Sequence, residues 1–313
     1  MIGAILAGGY GKRLKPITDN IPKALIEIRE NYTIMDRQLL DFKNSGIMDV
    51  YILSGYLSEK IEEYYRDYRD LNIHILNEEK PMGTLYSLKN LIGHIDDDIV
   101  LRNGDTISDI DMKDFIEYSK RKDFGMTMYI TKMKSPYGIV EFSGDAAINF
   151  KEKPDLDYYI NAGIYYIKKS VFNYFLKDYI ETDIEKSAFP EIVHNNLLGI
   201  YKDDSLWMGI DSEKDLETIK KFYSGRNDTE YGYVKYLYSA NNIEIKEYYI
   251  KKGYKVNIQE KGIIKLMAGS GYIYTDKTLK YNSGSILSIS GEIHILPYEN
   301  TKLEIIKEKN KKL

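Results

Sequence analysis

Residues 6–25, LAGGYGKRLKPITDNIPKAL, set Gly8, Gly9 and Gly11 just ahead of Arg13 and Lys23. Glycines at this density let the backbone turn sharply and approach a ligand with no side chain in between. Arg13 and Lys23 place two cations beside that turn, while Pro16 and Pro22 argue against one continuous helix through it. Backbone N–H groups combined with fixed positive charge are what holds phosphates. Neither common phosphate loop is present. GxxxxGK[ST] is absent, and Leu14 stands where GxGxxG needs its third glycine. From the residues alone the stretch is either a phosphate-binding loop or an ordinary strand-to-helix turn with basic neighbours.

Further stretches carry groups that could do chemistry. Glu79-Lys-Pro-Met-Gly-Thr84 reads as a polar strand-to-helix loop. Leu101-Arg-Asn-Gly-Asp105 follows directly on a strand, so Asp105 can present a carboxylate at the sheet edge or act as a turn or capping residue. Tyr137-Gly138, Phe150-Lys-Glu-Lys-Pro154 and Ile160-Asn-Ala-Gly163 read one by one as a turn, a charged loop and a glycine-relieved strand. Leu206-Trp-Met-Gly-Ile-Asp211-Ser212 leads into a helix, where Asp211 is either a metal ligand or the helix cap, with Ser212 as its competitor.

Together these motifs closely resemble the sugar-1-phosphate nucleotidylyltransferase family. LAGGYGKRLKPIT followed by PKAL matches its signature, and Pro-x-Gly-Thr, Gly-Asp, Tyr-Gly, Glu-Lys-Pro and Asn-Ala-Gly follow in the family's order. The resemblance implies that Leu6, Ala7, Gly8, Gly9, Gly11 and Lys12 bind the nucleoside triphosphate. Arg13 then contacts its phosphates and stabilises departing pyrophosphate, and Lys23 sits near the reacting centre. Pro81, Gly83 and Thr84 would close over the base. Asp105 would bind the metal, Mg²⁺. Gly138 and Asn161 would contact the sugar, Glu152 its hydroxyls and Lys153 its phosphate. Two departures stand out: Lys12 replaces the usual Thr or Ser, and Gly209 occupies the position of a common metal-binding aspartate. Asp211, two residues on, matches the cytidylyltransferase branch in preceding Ser, and strand residues two apart share a face, so Asp211 is the second expected ligand.

The implied reaction joins a sugar 1-phosphate to a nucleoside triphosphate and releases pyrophosphate. Members with an appended cupin-like domain are often mannose-1-phosphate guanylyltransferases, which makes GTP and mannose 1-phosphate the first expectation. The alternatives are a transferase for another phosphate ester such as phosphocholine, or a non-catalytic nucleotide-sugar sensor. Retention of Arg13, Lys23, Asp105 and Lys153 favours an enzyme, while Gly209 is the one feature on the sensor's side.

The elements that must position these residues follow from periodicity. Ile2–Leu6, Val50–Leu53, Ile73–Leu76 and Ile99–Leu101 read as strands, alternating with helices over residues 34–45, 57–68 and 85–92. That alternation predicts an α/β unit, a Rossmann-like, mixed and mostly parallel sheet flanked by helices, with ligands at the carboxyl ends of the strands. Phe124–Met133 and Ile139–Phe142 read as further strands, and residues 170–177 and 184–196 as helices. Residues 224–230, SGRNDTE, read as a linker, dividing a catalytic domain of residues 1–224 from a domain of residues 231–313. The second reads as seven short strands, at residues 243–249, 254–258, 263–267, 271–274, 285–289, 292–295 and 303–306, hence a small all-β, cupin-like domain. Its stretch Gly284–Asn300 is similar to a cupin's second motif, but the region of the first, Tyr254–Met267, holds no histidine. His294 therefore reads as a hydrogen-bonded structural residue, and no metal is expected there.

Composition narrows the classes. In 313 residues, 43% hydrophobic and 29% charged suit globular domains rather than disorder. A net charge of −4 gives no general basic field for nucleic acid. The absence of cysteine excludes disulfides and thiolate metal sites. No apolar run is long enough to span a bilayer, and the N-terminus lacks the basic region of a signal peptide, so the expectation is a cytoplasmic enzyme without a membrane partner. Exposed strand edges in the second domain make homo-oligomerisation a further expectation.

Overall fold

Alternate residues of the central strands go to opposite cores. In the computed structural model, which describes residues 1–78, 82–240 and 242–308, Ile5 and Ala7 of the strand Ile2–Ala7 enter one buried cluster, and Ile2 and Ala4 enter another. Val50 and Ile52 separate from Leu53 in the same way, Val100 from Ile99 and Leu101, and Ile164 and Tyr166 from Tyr165 and Ile167. A period of two with apolar residues on both sides is the pattern of a sheet covered on both faces. Helices Ile34–Asn44 and Met112–Arg121 cover one face through Met35, Leu39, Phe42, Phe115 and Ile116. Helices Thr84–Ile92 and Ala188–His194 contribute Leu85, Leu88, Leu91, Phe189 and Ile192 to the other core.

The seven strands lie in the order Leu198–Lys202, Met126–Lys134, Asp155–Ile167, Ile99–Asn103, Ile2–Ala7, Asp49–Ser54 and Asn72–Asn77. Ile2–Ala7 pairs in parallel with both neighbours, and only Asp155–Ile167 runs antiparallel to the strands beside it. The mixed, mostly parallel sheet is thus as expected. From Ile2–Ala7 the chain fills one side of the sheet, then crosses to Ile99–Asn103 on the other. Such a reversal opens a crevice beyond the carboxyl ends of the two strands.

Two compact units divide the chain, Met1–Glu217 and Thr218–Leu313. Residues 224–230 hold the strand Arg226–Thr229, paired with Gly232–Ala240, instead of an open linker. Their polarity reflects a buried ion pair: the Arg226 guanidinium lies 2.6 Å from the Asp228 carboxylate and over the rings of Phe222, Tyr223 and Tyr233. The second unit is an eight-stranded antiparallel sheet, consistent with the cupin-like expectation. It has fewer and longer strands over residues 254–297 than its glycines imply. Val256–Ala268 and Ile286–Pro297 each run through an expected break, because Glu260 pairs with Gly291 and Gly262 with Ile289 in one ladder. Cross-strand pairing here overrides local propensity. The His294 ring bonds the Asn257 side chain across that ladder. No helix among the described residues is long and apolar enough to cross a membrane.

Candidate active site

The strand Ile2–Ala7 delivers the glycine loop to the crevice. Gly11 takes φ +60°, a left-handed conformation that suits glycine, and its carbonyl accepts hydrogen bonds from the Thr18 hydroxyl and the Leu14 N–H, both at 2.9 Å. Short 3₁₀ turns at Lys12–Leu14, Ile17–Asp19 and Lys23–Leu25 follow, so no continuous helix forms across the two prolines. Buried Leu14, Ala24 and Leu25 anchor these turns and leave Arg13 in solvent.

The two candidate metal ligands meet through backbone pairing. Gly104 donates its N–H to Leu6 O at 2.9 Å, and a Cβ at that position would lie 2.5 Å from the same oxygen, so only glycine permits this approach. The strand Trp207–Gly209 pairs antiparallel with Thr106–Ser108, and Ile210 N–H then donates to Asp105 O at 3.0 Å. That register sets Asp211, just past the strand, beside Asp105. Lys23 Nζ lies 2.9 Å from Asp105 Oδ2 and 2.9 Å from Asp211 Oδ1, and Arg13 Nη2 lies 2.9 Å from Asp211 Oδ1.

The cap of the following helix is Ser212. Its hydroxyl accepts the Asp215 N–H at 3.2 Å, while the Asp215 carboxylate accepts the Ser212 N–H at 2.9 Å. This is a reciprocal capping box, and it removes the capping account of the Asp211 carboxylate.

These residues line a cavity of about 380 Å³, within the size range of small-molecule sites. It brings together Leu6, Ala7, Gly8, Gly9, Gly11 and Lys12 with Arg13, Lys23, Asp105 and Asp211. Gly83 and Thr84 also line it. Gly83 takes φ +93°, and a Cβ there would lie 2.5 Å from Thr182 O. The Thr84 hydroxyl accepts the Ile184 N–H at 3.0 Å, so residues 182–184 are strapped to the start of the helix. Pro81 lies outside the described residues.

Four lining residues carry chemistry that the sequence reading passed over: Glu78, Ser87, Asp183 and Glu185. Glu78 is buried at the carboxyl end of the strand Asn72–Asn77, a position that the parallel-sheet pattern marks for ligands. Glu185 was hidden by the expectation of a helix over 184–196, and Asp183 stands one residue before that span. That helix is Ala188–His194, with Pro190 in its first turn, where its missing N–H breaks no helical bond.

The expected sugar residues do not line this cavity. Glu152 and Lys153 end the exposed hairpin formed by Ile139–Ser143 and Ala146–Lys151, with the ammonium 3.8 Å from the carboxylate. A Cβ on Gly138 would lie 2.9 Å from Glu152 Oε2, so glycine lets that carboxylate approach. Asn161 Nδ2 donates to the Tyr165 hydroxyl at 2.7 Å, and Asn161 Oδ1 accepts the Gly163 N–H at 2.9 Å. Gly163 packs against Asn103, which does line the cavity, so the irregular stretch 161–163 of the strand Asp155–Ile167 adjoins the wall.

Among the described residues no three His, Cys, Asp or Glu side chains cluster to hold a metal. The donor set still fits a hard divalent ion. Two half-exposed carboxylates converge on one cation, the Lys23 ammonium, and Mg²⁺ characteristically takes one or two carboxylates and completes its shell with phosphate oxygens and water.

Comparison with known proteins bears on the family and the fold. Mannose-1-phosphate guanyltransferases of Gibberella zeae and Yarrowia lipolytica are 32% and 33% identical over 231 and 227 residues, covering 69% of this chain and 62% of each relative. The mannose-1-phosphate guanylyltransferase catalytic subunit beta of Drosophila melanogaster is 32% identical over 228 residues, covering 68% of this chain and 60% of that protein. The chain thus spans about three fifths of the length of the curated relatives it matches. In fold it is similar to HddC from Yersinia pseudotuberculosis complexed with GMP-PN, with a TM-score of 0.56 and 22% identity over 72% of this chain and 100% of that one. The profile of the nucleotidyl transferase family matches residues 2–226, which include every cavity residue described above, and the chain belongs to that family.

Proposed function

We propose that this chain transfers a nucleoside monophosphate from a nucleoside triphosphate to a sugar 1-phosphate, releasing pyrophosphate and an NDP-sugar. The observation that carries this reading is the convergence of Arg13, Lys23, Asp105 and Asp211 on a glycine-lined cavity at the sheet's switch point. The similarity to mannose-1-phosphate guanyltransferases makes GTP and mannose 1-phosphate the first substrates to try.

A sugar-phosphate oxygen attacks the α-phosphorus, a new P–O bond forms, and the bond to the β-phosphate oxygen breaks with pyrophosphate as leaving group. The attacking oxygen is already ionised near neutral pH, so no general base or protein nucleophile is needed. The task is to bring two polyanions together and offset the developing charge, which positioning and electrostatics accomplish. Asp105 and Asp211 would hold Mg²⁺, whose chemistry when bound is to polarise and neutralise phosphate oxygens. Arg13 and Lys12 bind the triphosphate, and Arg13 stabilises the leaving pyrophosphate. Lys23, lodged between the two carboxylates, turns its ammonium to phosphate when substrate arrives. Gly83 and Thr84, with Pro81, bound the base.

By the family pattern, Lys153 pairs with the sugar phosphate, Glu152 accepts sugar hydroxyls and Gly138 adjoins the sugar. Asn161, whose amide is engaged by Tyr165 and Gly163, is assigned to shaping that end of the site. The proposed setting is the cytoplasm, where nucleoside triphosphates are supplied.

A panel of nucleoside triphosphates against sugar 1-phosphates, read by pyrophosphate release, tests the reading. Turnover of GTP with mannose 1-phosphate is expected, dependent on a divalent cation. Turnover only with a non-sugar acceptor such as phosphocholine would overturn the sugar assignment, and nucleotide-sugar binding without any turnover would make the chain a sensor.

A further inference from the structure

Gln38 lies on the helix Ile34–Asn44, outside the cavity lining, and is fully buried. Its Nε2 donates to Asn103 O at 2.9 Å and to Thr106 O at 2.8 Å. Two carbonyl acceptors can be met only by the nitrogen end of the amide, which fixes its orientation. Asn103 and Thr106 bracket Gly104-Asp105, so one side chain clamps both ends of the turn that presents the Asp105 carboxylate. The Asp105 carbonyl in turn accepts the Ile210 N–H, which sets the register of Asp211. The same helix grips the flanks of this turn: Arg37 Nη2 donates to Ser108 O at 3.0 Å, and Asp41 accepts from Arg102 Nη1 at 2.8 Å.

We infer that Gln38 is a positioning residue for the divalent-metal site, acting through the backbone of residues 103–106 to hold the Asp105 and Asp211 carboxylates at the separation an ion needs. The inference rests on the reading that these two carboxylates hold the ion. The Asn103 carbonyl also accepts from the Thr106 hydroxyl at 3.2 Å, so removing Gln38 takes one donor from Asn103 O and the Gln38 donor from Thr106 O. A buried carbonyl that loses its donor shifts toward water or another donor, and a small shift at residues 103–106 moves both ligands. Partners of this outer kind typically change metal affinity or activity by about tenfold to a hundredfold when removed.

The test uses Mn²⁺, whose free fraction is read by electron paramagnetic resonance on the full chain without nucleotide, together with kcat, KM and thermal unfolding. Gln38→Met, nearly the same shape without donors, should weaken Mn²⁺ binding by about tenfold or more and lower kcat with KM for the sugar phosphate little changed. Leu39→Ala, a core deletion on the same helix, should lower the melting temperature and leave Mn²⁺ affinity unchanged, which separates positioning from general loosening.

Gln38→Glu keeps the shape and donates one hydrogen bond only when protonated. A buried carboxyl facing two carbonyl oxygens favours its neutral form. Its Mn²⁺ affinity should therefore fall as pH rises through that titration, opposite in sign to a carboxylate site itself. This variant also carries the test if Gln38→Met fails to fold. Wild-type Mn²⁺ affinity and kcat in Gln38→Met, or a wild-type pH trend in Gln38→Glu, would overturn the inference alone, provided Asp105→Asn is impaired. Normal Mn²⁺ binding in Asp105→Asn would overturn the metal reading and this inference with it.

Discussion

Replacing Asp211 by Asn removes a charge and leaves nearly everything else in place. Asp211 Oδ1 accepts from Lys23 Nζ and Arg13 Nη2, each at 2.9 Å, in a position 43% exposed. Pairs this accessible are worth between about 0 and 1 kcal/mol each, so with two of them the folded state should lose no more than about 2 kcal/mol. The helix beyond keeps its cap, since Ser212 and Asp215 bond each other. Catalysis is a different matter. A preorganised charge at a phosphoryl-transfer centre is worth about a hundredfold to a thousandfold in rate, or roughly 2.7–4 kcal/mol of barrier. The variant should therefore melt within a few degrees of the parent and turn over at least a hundredfold more slowly, with a higher Mg²⁺ requirement. Pyrophosphate release over a Mg²⁺ titration, beside a thermal melt, measures both. Asp105→Asn should behave alike, and the double variant should be little worse than the poorer single one, because ligands of one ion act as a unit. If Asp211→Asn keeps parental kcat and parental Mg²⁺ dependence, the carboxylate serves no ion and the argument from its convergence with Asp105 fails.

Three other outcomes follow from the geometry. Ser212→Ala removes the helix cap and should cost about 1 kcal/mol, which in a unit of this size lowers the melting temperature by roughly 2–4 °C, with turnover retained. Gly104→Ala places a Cβ 2.5 Å from Leu6 O and must displace the turn carrying Asp105, so kcat should fall with stability; a parental kcat would show that the close approach is dispensable. In the second unit, burial alone would raise the Glu260 carboxyl, but hydrogen bonds from Lys246 and Lys307 hold it below the usual carboxylate range. A depressed carboxyl stabilises the fold above its unfolded pKa, and that contribution is lost as pH falls through the folded value. Glu260→Gln should flatten this acid-side slope in thermal melts, and an unchanged slope would place the acid sensitivity elsewhere.

What the sequence disclosed about the site divides by distance along the chain. The glycine loop was legible because its turn, cations and prolines are local and each constrains the backbone by itself. The strands were legible where apolar residues run without interruption, as at Val50–Leu53, since both faces of that sheet are buried. Asp211 was half legible. Asp-Ser-Glu-Lys-Asp, residues 211–215, offers two capping residues in a row, and local pattern gives no reason to prefer either. The choice is made by Lys23, 188 positions away, which takes up the Asp211 carboxylate and leaves the cap to Ser212.

Gln38 was not legible at all, because a glutamine inside a helix has no local signature. Its meaning comes from two carbonyls more than sixty residues downstream, which belong to the turn that Asp105 occupies. The residues of greatest chemical consequence here share that property. A carboxylate can be spotted in a string, but whether it is a ligand depends on what fixes its separation from the next one. In this fold that separation is fixed by backbone hydrogen bonds: Gly104 to Leu6, Ile210 to Asp105, and Gln38 to the two carbonyls of the turn. A sequence motif records the charges of such a site, and the bonds that make the charges act together lie in pairings that only the folded chain creates.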